Sequence, residues 1–287
     1  RGYLPDSLVR YGVRRIVSHR LNEGRDELAE ATLKAEMSAG PLALATDEAN
    51  DQHYELPPEF FVRSLGPRLK YSGALFNSKN TTLAEAEESM LALYLQRGQL
   101  KDGQRILELG CGWGSLSLYM AEKLPGAEII SVSNSAPQRE YIQQQAKDRG
   151  LTNLKIITAN MLDFTPANHG EGAGFDRVIS IEMFEHMHNY HELLRRISTW
   201  LKPDGKMFVH IFCHKNRFYK YEIGGAKNWM AQYFFTGGTM PSYDLFTRFD
   251  EHMTQLDSWW VDGTHYQETS EAWLKNMDAV KKTTLPI

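Results

Sequence analysis

The chain has 287 residues, of which 42% are hydrophobic and 24% are charged, and its formal net charge is -4. This length and composition are typical of one large globular α/β domain, or of such a domain with a small accessory unit. The slightly acidic balance argues against a basic phosphate-binding surface, so no nucleic acid is expected as a partner. The sequence has no apolar run of about 18 residues, and no stable membrane insertion is expected.

Only two cysteines are present, Cys111 and Cys213, and they fall in different predicted elements. A disulfide framework is not expected, and a reducing, cytoplasmic location is predicted. Two cysteines without a CxxC pair also argue against structural zinc, and no metal is expected.

The first 65 residues have a helical pattern. Apolar residues recur near helical spacing from Leu4 to Leu21, with arginines on the opposite side. Such a helix either lies on a membrane surface or packs on its own protein, and we favour packing. Residues 26–39 predict a second helix, which Gly40-Pro41 ends.

Further along, a helix over Leu83–Leu95 is predicted, with Thr81 or Thr82 as its cap and Glu85 completing the capping pattern. Short apolar runs then alternate with amphipathic stretches. This alternation predicts an α/β fold with a Rossmann-like, doubly wound and mostly parallel sheet. The predicted strands are Arg105–Leu109, Glu128–Ser133, Lys155–Thr158, Asp176–Ile181 and Lys206–Phe212, and the helices between them are Ser115–Leu124, Gln138–Arg149 and Tyr190–Leu201. Residues 252–262 predict a late antiparallel strand, and Ser270–Lys281 a final helix.

A glycine-rich string, ELGCGWG, runs from Glu108 to Gly114 at the end of the first predicted strand. Glycines at a strand-to-helix turn let a ligand approach the backbone, and a nucleotide cofactor is expected in this crevice. A dinucleotide is disfavoured, because Ser115 replaces the third glycine and the second strand ends in Ser133-Asn134 without an acid. The amide side chains of Asn134 and Gln138 are able to bind ribose hydroxyls instead.

The string EMFEH follows the fourth predicted strand and places Glu182, Glu185 and His186 within five residues. Two carboxylates and an imidazole at a strand end predict a proton-handling site. A solvated acidic turn with a helix-capping Glu is the alternative, and the residues alone leave both open. His188 and His191 are expected to be exposed.

With these motifs in place, residues 70 to about 280 resemble the cyclopropane-fatty-acid-synthase-like methyltransferases, and within them the branch of plant coclaurine, tetrahydroprotoberberine and pavine N-methyltransferases. The shared strings are YSGALF from Tyr71, TLAEAE from Thr82, the glycine loop and EMFEH, followed by FVHIFCHK from Phe208 and WMAQYFFTGGTMPS from Trp229. The resemblance implies two parts: a helical lid over residues 1–69, and a methyltransferase domain over residues 70–287 with a substrate-capping insertion around residues 213–245.

The resemblance also implies S-adenosylmethionine as the cofactor and S-adenosylhomocysteine as its product. In catalysis, His186 would be the base, Glu185 would orient it and Glu182 would hold the substrate ammonium, and the two glutamates could exchange roles. The implied cofactor-binding residues are Tyr71, Ser72, Glu108, Gly110, Gly112, Asn134, Gln138, Asn160, Met161 and Ile181.

Aromatic residues after the fifth strand suggest cation–π recognition of an amine, although such a segment also suits a hydrophobic core. The implied substrate-binding residues are Trp229, Tyr233, Phe234 and Tyr266. Gly73 stands where relatives often have Cys, which predicts a roomier pocket.

The function predicted is S-adenosylmethionine-dependent N-methylation of a small-molecule, aromatic-containing amine, of the benzylisoquinoline or phenylalkylamine type. Three alternatives stay open here: a lipid methyltransferase or cyclopropane synthase, a nicotinamide dehydrogenase, and a cofactor-binding scaffold without activity. A homodimer is also left open.

Overall fold

The computed structural model describes residues 4–44, 57–221 and 229–280. Its helices are α1 (Asp6–Asn22), α2 (Glu27–Ala39), α3 (Pro58–Ser64), α4 (Leu83–Arg97), α5 (Ser115–Lys123), α6 (Ala136–Asp148), α7 (Tyr190–Trp200), α8 (Trp229–Tyr233) and α9 (Thr264–Ala279). Its strands are β1 (Arg105–Leu109), β2 (Glu128–Ser133), β3 (Leu154–Thr158), β4 (Phe175–Ile181), β5 (Leu201–His210), β6 (Tyr219–Lys220) and β7 (Thr239–Met240).

The five longer strands form one parallel sheet in the order β3-β2-β1-β4-β5, which confirms the predicted fold class. In the register, Leu109 at the end of β1 lies opposite Val132 on one side and Ser180 on the other. The carboxyl ends of these strands therefore meet at one edge, where open α/β sheets bind their ligands.

Alternate residues of the strands face two separate apolar layers, as the period of two requires. On β1, Leu107 and Leu109 pack into the cluster that includes α2 and α7, whereas Ile106 packs with α4 and α5 on the opposite face. Helix α4 begins with the predicted capping box, in which the Thr82 hydroxyl accepts from the Glu85 backbone and Glu85 bonds back to Thr82.

The predicted late antiparallel strand is wrong in its position. Residues 252–262 form no strand, and most of their side chains are exposed, with Trp259 lying against Arg97 and Phe208. Among the described residues, the antiparallel pair of strands is formed instead by β6 and β7, where Tyr219 is opposite Met240. Strand β5 also begins earlier than predicted, at Leu201, and its pairing with β4 is irregular between Leu201 and Lys206.

The N-terminal helices differ in how they attach. Helix α2 buries Leu33 and Met37 against α7, but α1 buries no side chain, so our expectation that α1 packs its apolar side on the protein is wrong. Polar contacts hold α1 instead, among them an ion pair between Arg10 and Glu271 of α9. No helix in the described ranges is both long and apolar enough to cross a bilayer.

Candidate active site

The turn between β1 and α5 contains three glycines with left-handed backbone, Gly110, Gly112 and Gly114. A Cβ on Gly110 would lie 2.8 Å from Met183, and one on Gly114 would lie 2.6 Å from Ile142. A Cβ on Gly112 would meet nothing within 4 Å. Gly110 and Gly114 therefore permit close packing, whereas the backbone of Gly112 borders open space.

This turn is one wall of an open cleft at the carboxyl edge of the sheet. The cleft is lined by the strand ends, by the segment from Leu69 to Ser72, and by Ala43 and Leu44 from the N-terminal part. All ten residues predicted to bind the cofactor belong to this lining: Tyr71, Ser72, Glu108, Gly110, Gly112, Asn134, Gln138, Asn160, Met161 and Ile181.

The amide pair predicted for the ribose is divided between the rim and the interior. Asn134 is exposed, whereas Gln138 is buried and its Oε1 accepts from Ser133 Oγ at 2.7 Å. Within the described residues, the buried Nε2 of Gln138 has no hydrogen-bond partner. The Asn160 Oδ1 accepts from the Leu162 N–H at 3.0 Å, so one of its two lone-pair positions is already used.

Two more polar atoms in this wall, Ser115 Oγ and Trp113 Nε1, are buried and without a partner in the part of the chain described. Buried polar groups are normally paired, so three such atoms around one cleft indicate a ligand rich in acceptors. Glu108 is different: its Oε2 accepts from Ser117 Oγ and Ser131 Oγ inside the protein. Burial raises the pKa of Glu108 to about 7, against the effect of these two hydroxyls.

Glu182 directly follows β4 and has left-handed backbone, with φ of 50°, although it is not glycine. Its N–H donates to the carbonyl of His210 at 2.8 Å, which fixes this conformation. The Gly73 N–H donates to Glu182 Oε1 at 3.2 Å, and the Tyr266 hydroxyl donates to Oε2 at 3.1 Å. Burial raises the pKa of Glu182, and the positive charge of Lys70 opposes that rise.

Glu185 lies in the short 3-10 turn after Glu182 and is fully buried. The Phe212 N–H donates to its Oε1 at 2.8 Å, whereas its Oε2 has no partner among the described residues. Burial raises the pKa of Glu185 well above the ordinary value, and the charge of Glu182 raises it further. The site thus holds two coupled carboxyl groups that resist being ionised together.

His186 lines the cleft and packs against Phe235, with ring centroids 4.4 Å apart. Phe235 is buried, and its ring also contacts Phe212 at 5.6 Å and Tyr221 at 5.2 Å. Phe235 was expected only as one of the aromatic residues after the fifth strand, and the substrate role was assigned to its neighbours. No signal in the sequence assigned a role in the site to Phe212 or Tyr221.

The predicted substrate-binding residues are divided. Tyr266 contacts Glu182 directly. Trp229, Tyr233 and Phe234 are 57%, 53% and 37% exposed and do not line the cleft. Their role in binding substrate stays a prediction.

Two smaller expectations are wrong. The space beside Gly73 is not free, because a Cβ there would lie 3.0 Å from Tyr266 Cδ2, so the tyrosine ring fills the room that the glycine leaves. His188 is buried and not exposed, since it lies where the chain after α2 crosses the start of α7, with its N–H bonded to the Leu42 carbonyl.

Lys70, which is 2% exposed, belongs to no motif recognised in the sequence. Its Nζ donates to Ser72 Oγ, to the Gly73 carbonyl at 2.7 Å and to the Tyr94 hydroxyl at 3.0 Å. The only signal in the sequence is its position immediately before the Tyr71-Ser72 string.

Comparison with known proteins decides the family. Residues 44–286 match the family model described as mycolic acid cyclopropane synthetase. The chain belongs to this family. It is 36% identical over 286 residues to the (S)-coclaurine N-methyltransferase of Thalictrum flavum subsp. glaucum, which covers 97% of this chain and 78% of the relative. It is 30% identical over 224 residues to the cyclopropane-fatty-acyl-phospholipid synthase of Escherichia coli (strain K12), covering 77% of this chain and 54% of that protein.

A crystal structure of coclaurine N-methyltransferase, bound to N-methylheliamine and S-adenosylhomocysteine, superposes on this family member with a TM-score of 0.91. The identity is 34%, and the match covers 97% of this chain and 81% of that one. The predicted resemblance and the methyltransferase class of the enzyme are thereby confirmed.

Proposed function

We propose that this family member is an S-adenosylmethionine-dependent N-methyltransferase whose substrate is an aromatic-containing amine, of the benzylisoquinoline or phenylalkylamine type. One observation carries the proposal: Glu182 and His186 both line the cleft beside the turn between β1 and α5. Glu185, which precedes His186 in the chain, is fully buried next to them. The (S)-coclaurine N-methyltransferase relative supports the same reaction class.

The cleft fits the cofactor by its unsatisfied polar atoms. Gln138 Nε2 would bind ribose hydroxyls, and Ser115 Oγ and Trp113 Nε1 would serve further acceptors of the cofactor. The open backbone at Gly112 leaves room for its methionine portion. When bound, S-adenosylmethionine supplies a methyl group that its sulfonium centre has already activated.

The chain must then provide a neutral amine in the right place. An alkylamine with a pKa near that of lysine, about 10.4, is only about a thousandth neutral at pH 7. Glu182 would hold the ammonium by charge, and His186 would remove its proton. Glu185 would orient the imidazole, and the aromatic rings at Phe212, Phe235 and Tyr221 would shield the site from water and favour a cation.

The proposal also includes the role of the N-terminal residues, the oligomeric state and the cellular location. Residues 1–69 act as a lid, which is supported by Ala43 and Leu44 in the cleft lining. The exposed apolar side of α1 would be the contact of a homodimer, since all of its large apolar side chains are more than a third exposed. Both cysteines are free thiols, which supports a cytoplasmic location.

The test is a methyl-transfer assay with labelled S-adenosylmethionine and amines of graded bulk, with a membrane lipid extract as the competing acceptor. We expect the label in a tertiary or quaternary amine. Label recovered only in lipid would replace the proposal with the cyclopropane synthase or lipid methyltransferase alternative.

The residue roles need a separate test. Glu185→Ala and His186→Ala should slow single-turnover methyl transfer at least about 100-fold, as removal of a general base does. Calorimetry with S-adenosylhomocysteine should show unchanged cofactor-site affinity. Near wild-type rates in both variants would exclude the assignment.

A further inference from the structure

The buried ammonium of Lys70 organises the loop that contacts Glu182. Its three donors bind Ser72 Oγ, the Gly73 carbonyl and the Tyr94 hydroxyl, so they join the loop at residues 70–73 to helix α4. A lysine ammonium has three N–H donors, and all three are used here.

Gly73 connects this ammonium to the candidate active site. Its carbonyl accepts from Lys70 Nζ at 2.7 Å, and its N–H donates to Glu182 Oε1 at 3.2 Å. The position of the Glu182 carboxyl group therefore depends on the same residue that Lys70 holds in place.

A second buried acid fixes the backbone of the loop. Glu87 on α4 is fully buried and accepts from the N–H groups of Arg68 at 2.8 Å and Lys70 at 3.3 Å. Lys70 thus has carboxyl groups on two sides, Glu87 from α4 and Glu182 from the end of β4. The charge of Lys70 also acts on His210 of β5, and Tyr94 of α4 binds its Nζ directly. Arg97 of α4 acts by charge on both His210 and Tyr94.

We propose that Lys70 is a positioning residue for methyl transfer, which keeps Glu182 ionised and in place to receive a protonated amine. This proposal rests on the proposed N-methyltransferase function. The ammonium offsets the cost of a buried negative charge on Glu182, and its bond to Gly73 aims the N–H that holds Oε1. No atom of Lys70 needs to touch the substrate for this role.

The charges at this site predict a pH profile of kcat/KM with two limbs, a fall at low pH and a fall at high pH. Activity falls at low pH as Glu182, whose pKa burial raises, becomes protonated, and protonation of the base His186 contributes to the same limb. Burial also lowers the pKa of Lys70 to about 8, against the effect of Glu182 and Glu87, so activity should fall again as Lys70 loses its proton. His210 stays neutral across this range, because burial and then Lys70 and Arg97 lower its pKa to about 3.

The experiment compares the pH profiles of kcat/KM for the wild-type chain, Lys70→Gln, Lys70→Arg and Tyr94→Phe. Lys70→Gln keeps hydrogen-bond donors but removes the charge, and it should move the acid limb upward by about one pH unit. Lys70→Arg keeps the charge, so its acid limb should return toward that of the wild type, and its basic limb should move upward because arginine does not titrate. Tyr94→Phe removes one acceptor of the buried ammonium, so its basic limb should move downward, whereas its acid limb should stay in place because Lys70 is protonated there.

Thermal unfolding and calorimetry with S-adenosylhomocysteine establish which variants are folded and retain the cofactor site. If Lys70→Gln does not fold, the basic limbs of the wild type and Lys70→Arg still decide the question. If the variants are active and neither limb of their pH profiles moves, the role of Lys70 is wrong, but the proposed function is not affected. A wild-type chain that methylates no amine would instead overturn the proposed function.

Discussion

Tyr266 of helix α9 donates its hydroxyl to Glu182 at the end of β4, across 84 positions of sequence, with an O···O distance of 3.1 Å. The same ring fills the space beside Gly73, whose N–H bonds the other oxygen of Glu182. One tyrosine thus holds the carboxyl group and closes the pocket next to it.

Tyr266→Phe removes the hydroxyl and keeps the ring. Hydrogen bonds to charged groups contribute about 1.5–3 kcal/mol, so kcat/KM should fall about 10-fold or more. Steady-state kinetics check the loss, and affinity for S-adenosylhomocysteine should not change. Tyr243→Phe is the matched control, since that hydroxyl bonds the exposed Ser258. Equal kinetics in the Tyr266 variant and the wild type would show that the bond does not contribute.

Gly73→Ala should lower kcat/KM because its Cβ displaces the Tyr266 ring, with which it would be in contact at 3.0 Å. The effect should shrink in a Tyr266→Ala background, where no ring is present to be displaced. A double-mutant cycle measures this coupling, for which we expect at least about 0.5 kcal/mol between contacting residues. If the losses caused by the two substitutions are additive, the added methyl group does not act through the Tyr266 ring.

Gln138→Ala removes the buried amide whose Nε2 has no partner among the described residues. If that amide binds the ribose, S-adenosylhomocysteine should bind about 10-fold more weakly, as expected for one lost hydrogen bond. Isothermal calorimetry measures the affinity. Gln143→Ala, on the exposed side of the same helix, should bind like the wild type. Unchanged affinity in both variants would remove Gln138 from the cofactor site.

Glu108→Gln should change how stability depends on pH. Because burial raises the pKa of Glu108 from 4.5 to about 7, the folded state binds this proton more tightly than the unfolded state does. The contribution to stability is therefore complete below pH 4.5 and is lost as the pH rises to about 7. Glutamine carries no such proton, so the variant should gain about 3 kcal/mol on the wild type between pH 4.5 and 8.

Urea unfolding without cofactor at several pH values tests this prediction. The surface substitution Glu140→Gln on α6 is the control, and its stability should follow that of the wild type at each pH. A Glu108→Gln curve that runs parallel to the wild-type curve would contradict the assigned pKa.

The sequence predicted the sheet well because its signals are local. Each strand is a short apolar run, and each helix is amphipathic, so periodicity alone located β1 and β2 within their observed bounds. The glycine loop and EMFEH were also found, because the carboxyl edge of a parallel sheet places strand ends together.

What the sequence could not predict depends on contacts between distant segments. Lys70 is important through Gly73 and Glu182, more than 100 positions away from the latter, and no local pattern marks such a contact. Phe235 could not be distinguished from Phe234, because the two differ in burial and burial is not visible in the local sequence. The side of α1 that stays exposed could not be distinguished from a packed one, because both have the same apolar spacing.

The close approach of Gly110 to Met183 joins two parts of the enzyme that the sequence separates. Met183 leaves no room for a side chain on Gly110, and it is the next residue after Glu182, whose backbone is locked to His210. A displacement of the glycine turn would therefore be transmitted through the Met183 side chain to the backbone of Glu182. Consequently, we expect the glycine turn after β1 and the turn after β4, which contains Glu182, to move together.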